Sequence, residues 1–481
     1  MSAQLEPPSG EDLDPLEESI WGLRRNHPSV SAARTTERRQ QIGIVTVLVL
    51  VATSIALWPV PTCTILVGAA TVVYLGTLID RTWLFARGVE ASPEIKVTDH
   101  EALSLEEDDL PVYTVLLPAY HEPEIAARLI ANLGRMNYPA DRLDIKLLLE
   151  ADDAETVAVA QAALTAGALP AEIILVPPAE PRTKPKACNF GLYFARGELL
   201  TIYDAEDIPD PLQLRRAVVG FSRVGPEVAC LQAKLKYHNA RQNLLTRWFS
   251  AEYNQWFGYT LPGLMRAGAP IPLGGTSNHM RTATLIDVGG WDPFNVTEDA
   301  DLGIRLHRQG YRTAMLDSVT YEEANSDVLN WVRQRSRWYK GYLQTFLVHA
   351  RNPRTLVAEL GWRGTLRFLS VTAGTPLLAA MNLAFWGLTF VWLIGHPNFI
   401  RAIYPILIFY PAMFCLVIGN AIVIYCGVFA CRQDRTPSLL LACFLVPAYW
   451  VLMSIAGLKA LFQLIFQPSY WEKTAHGLDH P

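Results

Sequence analysis

From Ile42 to Ile79 the chain is almost without charge, and long apolar blocks return at Phe368–Ile394, Ala402–Phe429 and Leu439–Phe466. A run of about 20 apolar residues can cross a bilayer, and in hydrocarbon it must do so as a helix that satisfies its own backbone. Trp58-Pro59-Val60-Pro61 divides the first block into two stretches of about 18 residues, each near that length. Residues 41–80 therefore predict two transmembrane helices, and residues 366–467 predict three or four. Arginines before the first helix, and Arg81 and Arg87 after the second, put both flanks on the cytoplasmic side; Arg432 and Arg435 mark the loop before the last block in the same way. Lys459 interrupts the last block and favours one span followed by an amphipathic helix at the interface.

Composition supports this division. With 481 residues, 51% hydrophobic and 18% charged, the chain exceeds one ordinary domain and is more apolar than a soluble protein of its size. A formal net charge of -5, with no concentrated basic surface, argues against nucleic-acid binding. Cys63, Cys188, Cys230, Cys415, Cys426, Cys431 and Cys443 form no C-x-x-C pair. They read as small buried hydrophobes, which suits a middle domain in a reducing cytosol. Residues 1–40 open acidic, turn basic and mix in Pro, Ser and Gly, so they predict a flexible cytosolic tail. No small-residue cleavage site accompanies the first apolar block, which reads as a retained anchor. Residues 468–481 form a short second tail.

Residues 100–350 alternate apolar runs with amphipathic helical ones. Val112–Leu117, Ile145–Leu149, Ile173–Val176, Leu199–Tyr203 and Val228–Leu235 are the strand candidates, with helical patterns between the first four. That order predicts an α/β domain with a mostly parallel sheet, whose ligand sits beyond the carboxyl ends of the strands.

Acidic motifs fall at those ends. Asp204 ends a strand and Glu206 is two residues on, so both carboxylates can converge on one divalent ion, with Asp207 as a helper; an acidic turn with Pro209 and Asp210 is the plainer reading. Glu150, Asp152 and Asp153 follow another strand and can accept hydrogen bonds from a base or ribose, or simply cap the helix that begins near Thr156. Thr297 reads as the N-cap of a helix with Glu298 and Asp299 in its first turn. The helix dipole explains such acids, and the same field favours an ionised Asp299 able to take a proton from an acceptor hydroxyl. Gln334, Arg337 and Trp338 lie within two turns of a helix. Arg337 suits a diphosphate and Trp338 the apolar face of a sugar, although Trp331, Arg333, Arg335, Trp338 and Lys340 also read as a helix lying at a membrane surface. Lys186 near a helix start suits phosphate, and Gly274-Gly275-Thr276-Ser277-Asn278 suits an acceptor-side loop, with Thr276 and Ser277 offering hydroxyls.

Taken in order, these motifs resemble the family 2 inverting glycosyltransferases, in particular the membrane-integrated bacterial branch of cellulose, curdlan and hyaluronan synthases; the resemblance runs from Val112 to Gly341. It implies a GT-A-type, Rossmann-like cytosolic domain inserted between membrane helices. By position it implies that Asp152 or a neighbour holds the nucleoside, that Asp204 and Glu206 hold Mg2+ or Mn2+, and that Asp299 is the general base. It further implies that Gln334, Arg337 and Trp338 bind the diphosphate and the acceptor terminus, with Glu298, Thr276 and Ser277 on the acceptor side. Glutamate at the third position of Asp204-Ala205-Glu206 departs from the usual D-x-D. Tyr470-Trp471-Glu472-Lys473-Thr474 resembles a tail motif of related transferases, and no mechanism follows from it.

The expectation is thus a metal-dependent hexosyltransferase of the bacterial inner membrane, multi-pass, with its catalytic domain in the cytoplasm. It would extend a β-linked polysaccharide from a nucleotide sugar such as UDP-glucose, with a homo-oligomer or export partner completing a channel. A glycolipid synthase with a membrane-lipid acceptor is the alternative, and a non-catalytic scaffold or sugar-nucleotide sensor stands third.

Overall fold

A computed structural model of the chain describes residues 14–90, 94–121, 134–166, 171–468, 470 and 472. Eight strands form one sheet: β1 (Tyr113–Ala119), β2 (Leu143–Glu150), β3 (Ala171–Val176), β4 (Leu199–Ile202), β5 (Ile208–Pro209), β6 (Val228–Tyr237), β7 (Asn278–Arg281) and β8 (Arg312–Glu322). Their spatial order is β3-β2-β1-β4-β7-β6-β8-β5. β1 pairs in parallel with both β2 and β4, with Tyr113 opposite Leu143 on one side and Leu199 on the other.

The apolar-rich runs of β1 and β2, interrupted in β2 by the buried Asp144 and Lys146, are explained by burial on both faces. Val115 and Leu117 join a core with Leu147 and Phe221, while the intervening Leu116 joins a second core with Leu148, Ile202 and Trp291. Alternate side chains of a strand project to opposite faces, so one run feeds two cores. Truncating a residue such as Leu116, fully buried, to alanine costs about 2–5 kcal/mol.

The sheet is mixed, which corrects the mostly parallel expectation. β7 lies antiparallel between β4 and β6, and β5 pairs antiparallel with β8. Neither of these strands, nor β8, carries an unbroken apolar signal: β7 buries Asn278 and His279, and β8 includes Asp317 and Ser318 beside a register shift.

Among the described residues, five helices are long and apolar enough to cross a membrane: Arg38–Leu57, Pro59–Val89, Pro353–Gly395, Ile406–Gln433 and Val446–Phe466. The third turns at Gly361 (φ 65°), a backbone conformation that favours glycine. Its first turns pack Leu356 and Leu360 against Ile304 of the helix Glu298–Arg308. The last block is one helix through Lys459, whose charge is met by Glu472 at 2.7 Å, so the interfacial break expected there is absent. Two glycines seat the second membrane helix on the central α/β domain. A Cβ on Gly88 would lie 2.0 Å from Tyr259 O, and one on Gly263 2.1 Å from Leu84 O.

The first forty residues are not all a free tail. Residues Pro15–Asn26 form a helix, and Ile20, Trp21, Leu23, Val30 and Ala32 are buried. Trp21 stacks near Phe294 with centroids 4.9 Å apart, Asn189 donates to Ser19 O (3.0 Å), and Arg351 donates to the carbonyls of Pro28 and Ser31. Acid-then-base composition looked like solvated chain, but its apolar positions recur on one helical face and have a partner only in the folded domain. The part of that expectation falling on residues 1–13 lies outside the described residues.

Candidate active site

The sheet's carboxyl ends, the helix Glu298–Arg308 and the helix Val328–His349 enclose a cavity of about 790 Å3 that continues between the membrane helices. Beyond β4, Asp204 and Glu206 line it, half-buried, whereas Asp207 turns inward and is fully buried. Asp207 accepts from Asp204 N (2.7 Å) and from the Thr276 hydroxyl, which fixes the turn bearing the two outer carboxylates. Burial, then the charges of Asp204 and Glu206, push the Asp207 carboxyl well above its ordinary range.

Lys184, the first residue of the helix Lys184–Leu192, donates to Asp204 and to Gly275 O (2.8 Å). Burial would depress its ammonium, but Asp204 and Glu298 outweigh burial and raise it. Lys186, the lysine singled out from the sequence, is fully buried against Glu150 (2.7 Å) and Ala179 O (3.2 Å). The cavity's lysine is therefore Lys184. One helical residue pair decides it: Lys184 sits at the exposed N-terminus, and Lys186 turns into the core.

Of the first acidic motif, Glu150 lines the cavity, and its Oε2 has no hydrogen-bond partner among the described residues. Asp152 pairs with Arg182 (2.6 Å), which also donates to Tyr120 OH (3.1 Å); Arg182 and Tyr120 line the cavity. Asp153 is buried, accepts from His121 N (2.6 Å) and Thr156 N (3.3 Å), and so caps the helix Ala154–Ala166. Its role is structural.

Glu298 and Asp299 occupy the first turn of their helix, as expected, but Thr297 makes no side-chain cap; its amide donates to Asn295 Oδ1 (3.0 Å) instead. Asp299 is half-buried on the cavity wall and accepts from Ala300 N (2.7 Å). Burial raises its carboxyl, against the opposing pull of the Ala300 amide, Lys184 and Arg337. Glu298 is pushed up from 4.5 to about 8 by burial and by the charge of Asp299. Across the cavity, Arg337 is lowered by burial and held up by the charges of Glu298, Asp299 and Asp204, so these four groups share one electrostatic environment.

Gln334 lines the same wall and accepts from Asn325 (3.1 Å), and Trp338 stacks with Tyr253 at 6.5 Å. The interfacial reading of this helix fails for its most basic face. Trp331 and Lys340 are fully buried, and Arg335 forks onto Glu252 at 2.8 and 2.6 Å, joined by Tyr449 of the last membrane helix (2.8 Å). That face packs against protein. The tail motif has a place there: Lys340 donates to Tyr470 O, and Glu472 accepts from Lys459 and Gln463.

Thr276 and Ser277 do not reach the cavity as acceptor-side hydroxyls. Thr276 donates to Asp207 and Ile202 O (3.0 Å), and Ser277 to Thr320 Oγ1 (2.7 Å); both are buried beneath Gly274 and Gly275, which do line the cavity. Sequence reasoning missed Lys184, Arg182 and Glu322. Glu322 ends the unrecognised strand β8 and lines the cavity; burial, then Asp207, Asp204 and Glu206, raise it well above its ordinary range. The short apolar run Ala314-Met315-Leu316 before it was the available signal.

Asp204, Glu206 and Glu322 thus offer hard oxygen donors in one negative region, a donor set that fits a divalent cation with few protein ligands. Among the described residues no group of three or more His, Cys, Asp or Glu is pre-assembled for a metal.

Residues 111–341 match the family described as "Glycosyltransferase like family 2", a little under half of the chain. The central domain has the family 2 glycosyltransferase fold, set between helices of a multi-pass membrane protein. The chain is 28% identical over 313 residues to cellulose synthase 2 of Novacetimonas hansenii, covering 63% of this chain and 19% of that protein. It is 26% identical over 313 residues to the beta-monoglucosyldiacylglycerol synthase of Synechocystis sp., covering 62% and 64%. Among curated relatives with strong matches, the chain spans about half of their length. A mannosyltransferase from Pyrobaculum calidifontis, solved in complex with GDP-Man and Mn2+, shares the fold at TM-score 0.51 and 19% identity, over 80% of this chain and 99% of that one.

Proposed function

We propose that the protein transfers a sugar, with inversion, from a nucleotide sugar to a hydroxyl presented from the membrane side, with its catalytic domain at the cytoplasmic face of a bacterial inner membrane. The observation that carries this reading is the convergence of Asp204, Glu206, Asp299, Gln334, Arg337 and Trp338 on one cavity that opens between apolar helices. UDP-glucose is the donor we favour, on the resemblance to β-glucan synthases.

The chemistry follows from the wall groups. Arg337 and Lys184 offer cationic donors to the diphosphate, and Arg182, Asp152 and Glu150 line or border the side suited to the nucleoside. Asp204 and Glu206, with Glu322 beside them, would hold Mg2+ or Mn2+, which when bound neutralises charge on the leaving diphosphate. Asp299, across from these carboxylates in the same cavity, takes the proton of the acceptor hydroxyl as its oxygen bonds to the anomeric carbon. The anomeric carbon–phosphate oxygen bond breaks, and the nucleoside diphosphate leaves with the electron pair. Burial raises Asp299, which makes it a stronger base than an exposed aspartate, while the Ala300 amide, Lys184 and Arg337 pull the other way. Trp338 offers a ring face to the acceptor sugar or headgroup.

The test is purified full-length protein in nanodiscs with manganese and a panel of nucleotide sugars, read by nucleoside diphosphate release and product mass. Turnover that depends on Asp299 and Arg337 supports the reading; Asp299→Asn protein with unaltered transfer would end it.

A further inference from the structure

The catalytic cavity does not stop at the membrane helices. Tyr74, Asn382 and Asn420 line its inner end, and the same three residues line a second cavity of about 390 Å3. That volume is within the range of small-ligand sites. It lies among the membrane helices, walled by Phe385, Leu388, Trp392, Phe409, Met413 and Leu416.

Its intervening polar groups are already engaged. Thr71 Oγ1 donates to Val67 O (2.8 Å), Thr389 Oγ1 to Phe385 O (2.9 Å), and Asn420 Nδ2 to Leu416 O (2.8 Å), each within its own helix. Other polar side chains sit at the ends: Tyr74 and Asn382 at the junction with the catalytic cavity, Arg401 and Tyr404 in the segment after Gly395. A glycan carries hydroxyls along its whole length, and each one buried without a partner costs about 1–3 kcal/mol. A hydrocarbon chain has none to satisfy and gains from leaving water.

Resting on the transfer reading above, we infer that the acceptor is an amphiphile, with its hydrocarbon chain in this second cavity and its hydroxyl-bearing head at Trp338 and Asp299. The new bond joins the anomeric carbon to the lipid headgroup oxygen, whose proton passes to Asp299. The product is a glycolipid, and the by-product is the nucleoside diphosphate.

The experiment uses the full chain in phosphatidylcholine nanodiscs, the donor panel, and two acceptors, dioleoylglycerol and its water-soluble dibutanoyl analogue. Ala412→Phe and Thr389→Phe fill the second cavity without touching the catalytic wall. The expected result is organic-extractable sugar, with KM for the long-chain acceptor raised about tenfold in the filled variants and the short-chain KM unchanged. A water-soluble polymer as the wild-type product, or equal losses with both acceptors, would overturn the inference. Should the filled variants lose donor turnover, Trp392→Ala decides in their place: it must shift preference toward bulkier chains, and an unchanged preference overturns the inference. Donor turnover that persists without lipid product sinks the lipid acceptor alone, whereas no turnover with any nucleotide sugar in wild-type protein overturns the transfer reading and this inference with it.

Discussion

The two halves of the sheet are built differently. In β3-β2-β1-β4 the strands are parallel and most of their buried residues are aliphatic; the buried exceptions Thr114, Asp144 and Lys146 cluster toward the amino ends of β1 and β2, with Thr114 donating to Asp144 (2.8 Å). In β7-β6-β8-β5 the sheet is mixed and its interior is stitched by polar groups: Gln213 bonds Tyr203 (2.8 Å), Ser318 (3.1 Å) and Thr320 (3.1 Å), and Ser277 bonds Thr320. The seam between the halves is where Asp204, Asp207 and Thr276 meet. Apolar packing tolerates small shifts, whereas a satisfied polar network specifies one arrangement, which is what a reactive turn requires. The difference teaches that the polar groups fixing the acidic turn belong to the mixed half of the sheet, while the parallel half keeps its polar cluster at the amino ends of its strands.

The sharpest way to break this comparison is at Asp299, outside both halves. Asn at 299 keeps the shape and removes the proposed base, so kcat should fall by about 10²–10⁴-fold with nucleotide binding retained, measured by product formation and by calorimetry. Next comes the seam. Asp207→Asn keeps an acceptor for Asp204 N but replaces the other carboxyl oxygen behind the turn with an amide NH2, and should raise the manganese concentration for half-maximal rate by roughly 10–100-fold with modest loss of stability. An equal loss with saturating metal would mean that Asp207 only supports the fold.

A pH experiment has a smaller effect. Glu298 is raised from 4.5 to about 8, so the folded protein keeps a proton that the unfolded chain releases above 4.5. Stability from this group is therefore complete below 4.5 and is lost as pH rises toward 8. Glu298→Gln should flatten the fall in Tm across that window; an unchanged slope assigns the pH dependence to another group. The smallest effect belongs to the polar half itself. Ser277→Ala removes one buried hydrogen bond and should cost about 1 kcal/mol by denaturant titration, leaving acceptor KM unchanged. A raised KM would return Ser277 to the acceptor side, where the sequence had put it.

Much of this was legible in the chain. Apolar-rich runs marked β1, β2 and β4 because most of their side chains are buried, Ile173–Val176 marked β3 although Leu175 is exposed, and charge-free length marked the membrane helices. The candidates Asp204, Glu206, Asp299, Gln334, Arg337 and Trp338 could be picked out because each follows a strand or sits on a helix whose pattern is strong, and all six line one cavity. β5, β7 and β8 were not, since their burial is polar or short, and Glu322 was lost with β8. The docking of residues 14–36 was hidden for another reason: a short amphipathic helix has no partner within its own sequence.

By itself the sequence determined which segments leave water for lipid, which residue types gather beyond the parallel strands, and the class of chemistry they suit, because hydropathy and local periodicity act along the chain. Only the tertiary structure decided that Lys184 rather than Lys186 faces the cavity, that Thr276 and Ser277 lie beneath it, and that Arg335 is bound to Glu252. It also decided that the catalytic cavity meets a second one at Tyr74, Asn382 and Asn420. Those outcomes depend on which neighbours arrive from distant parts of the chain, and a buried charge or hydroxyl goes wherever the fold supplies its partner.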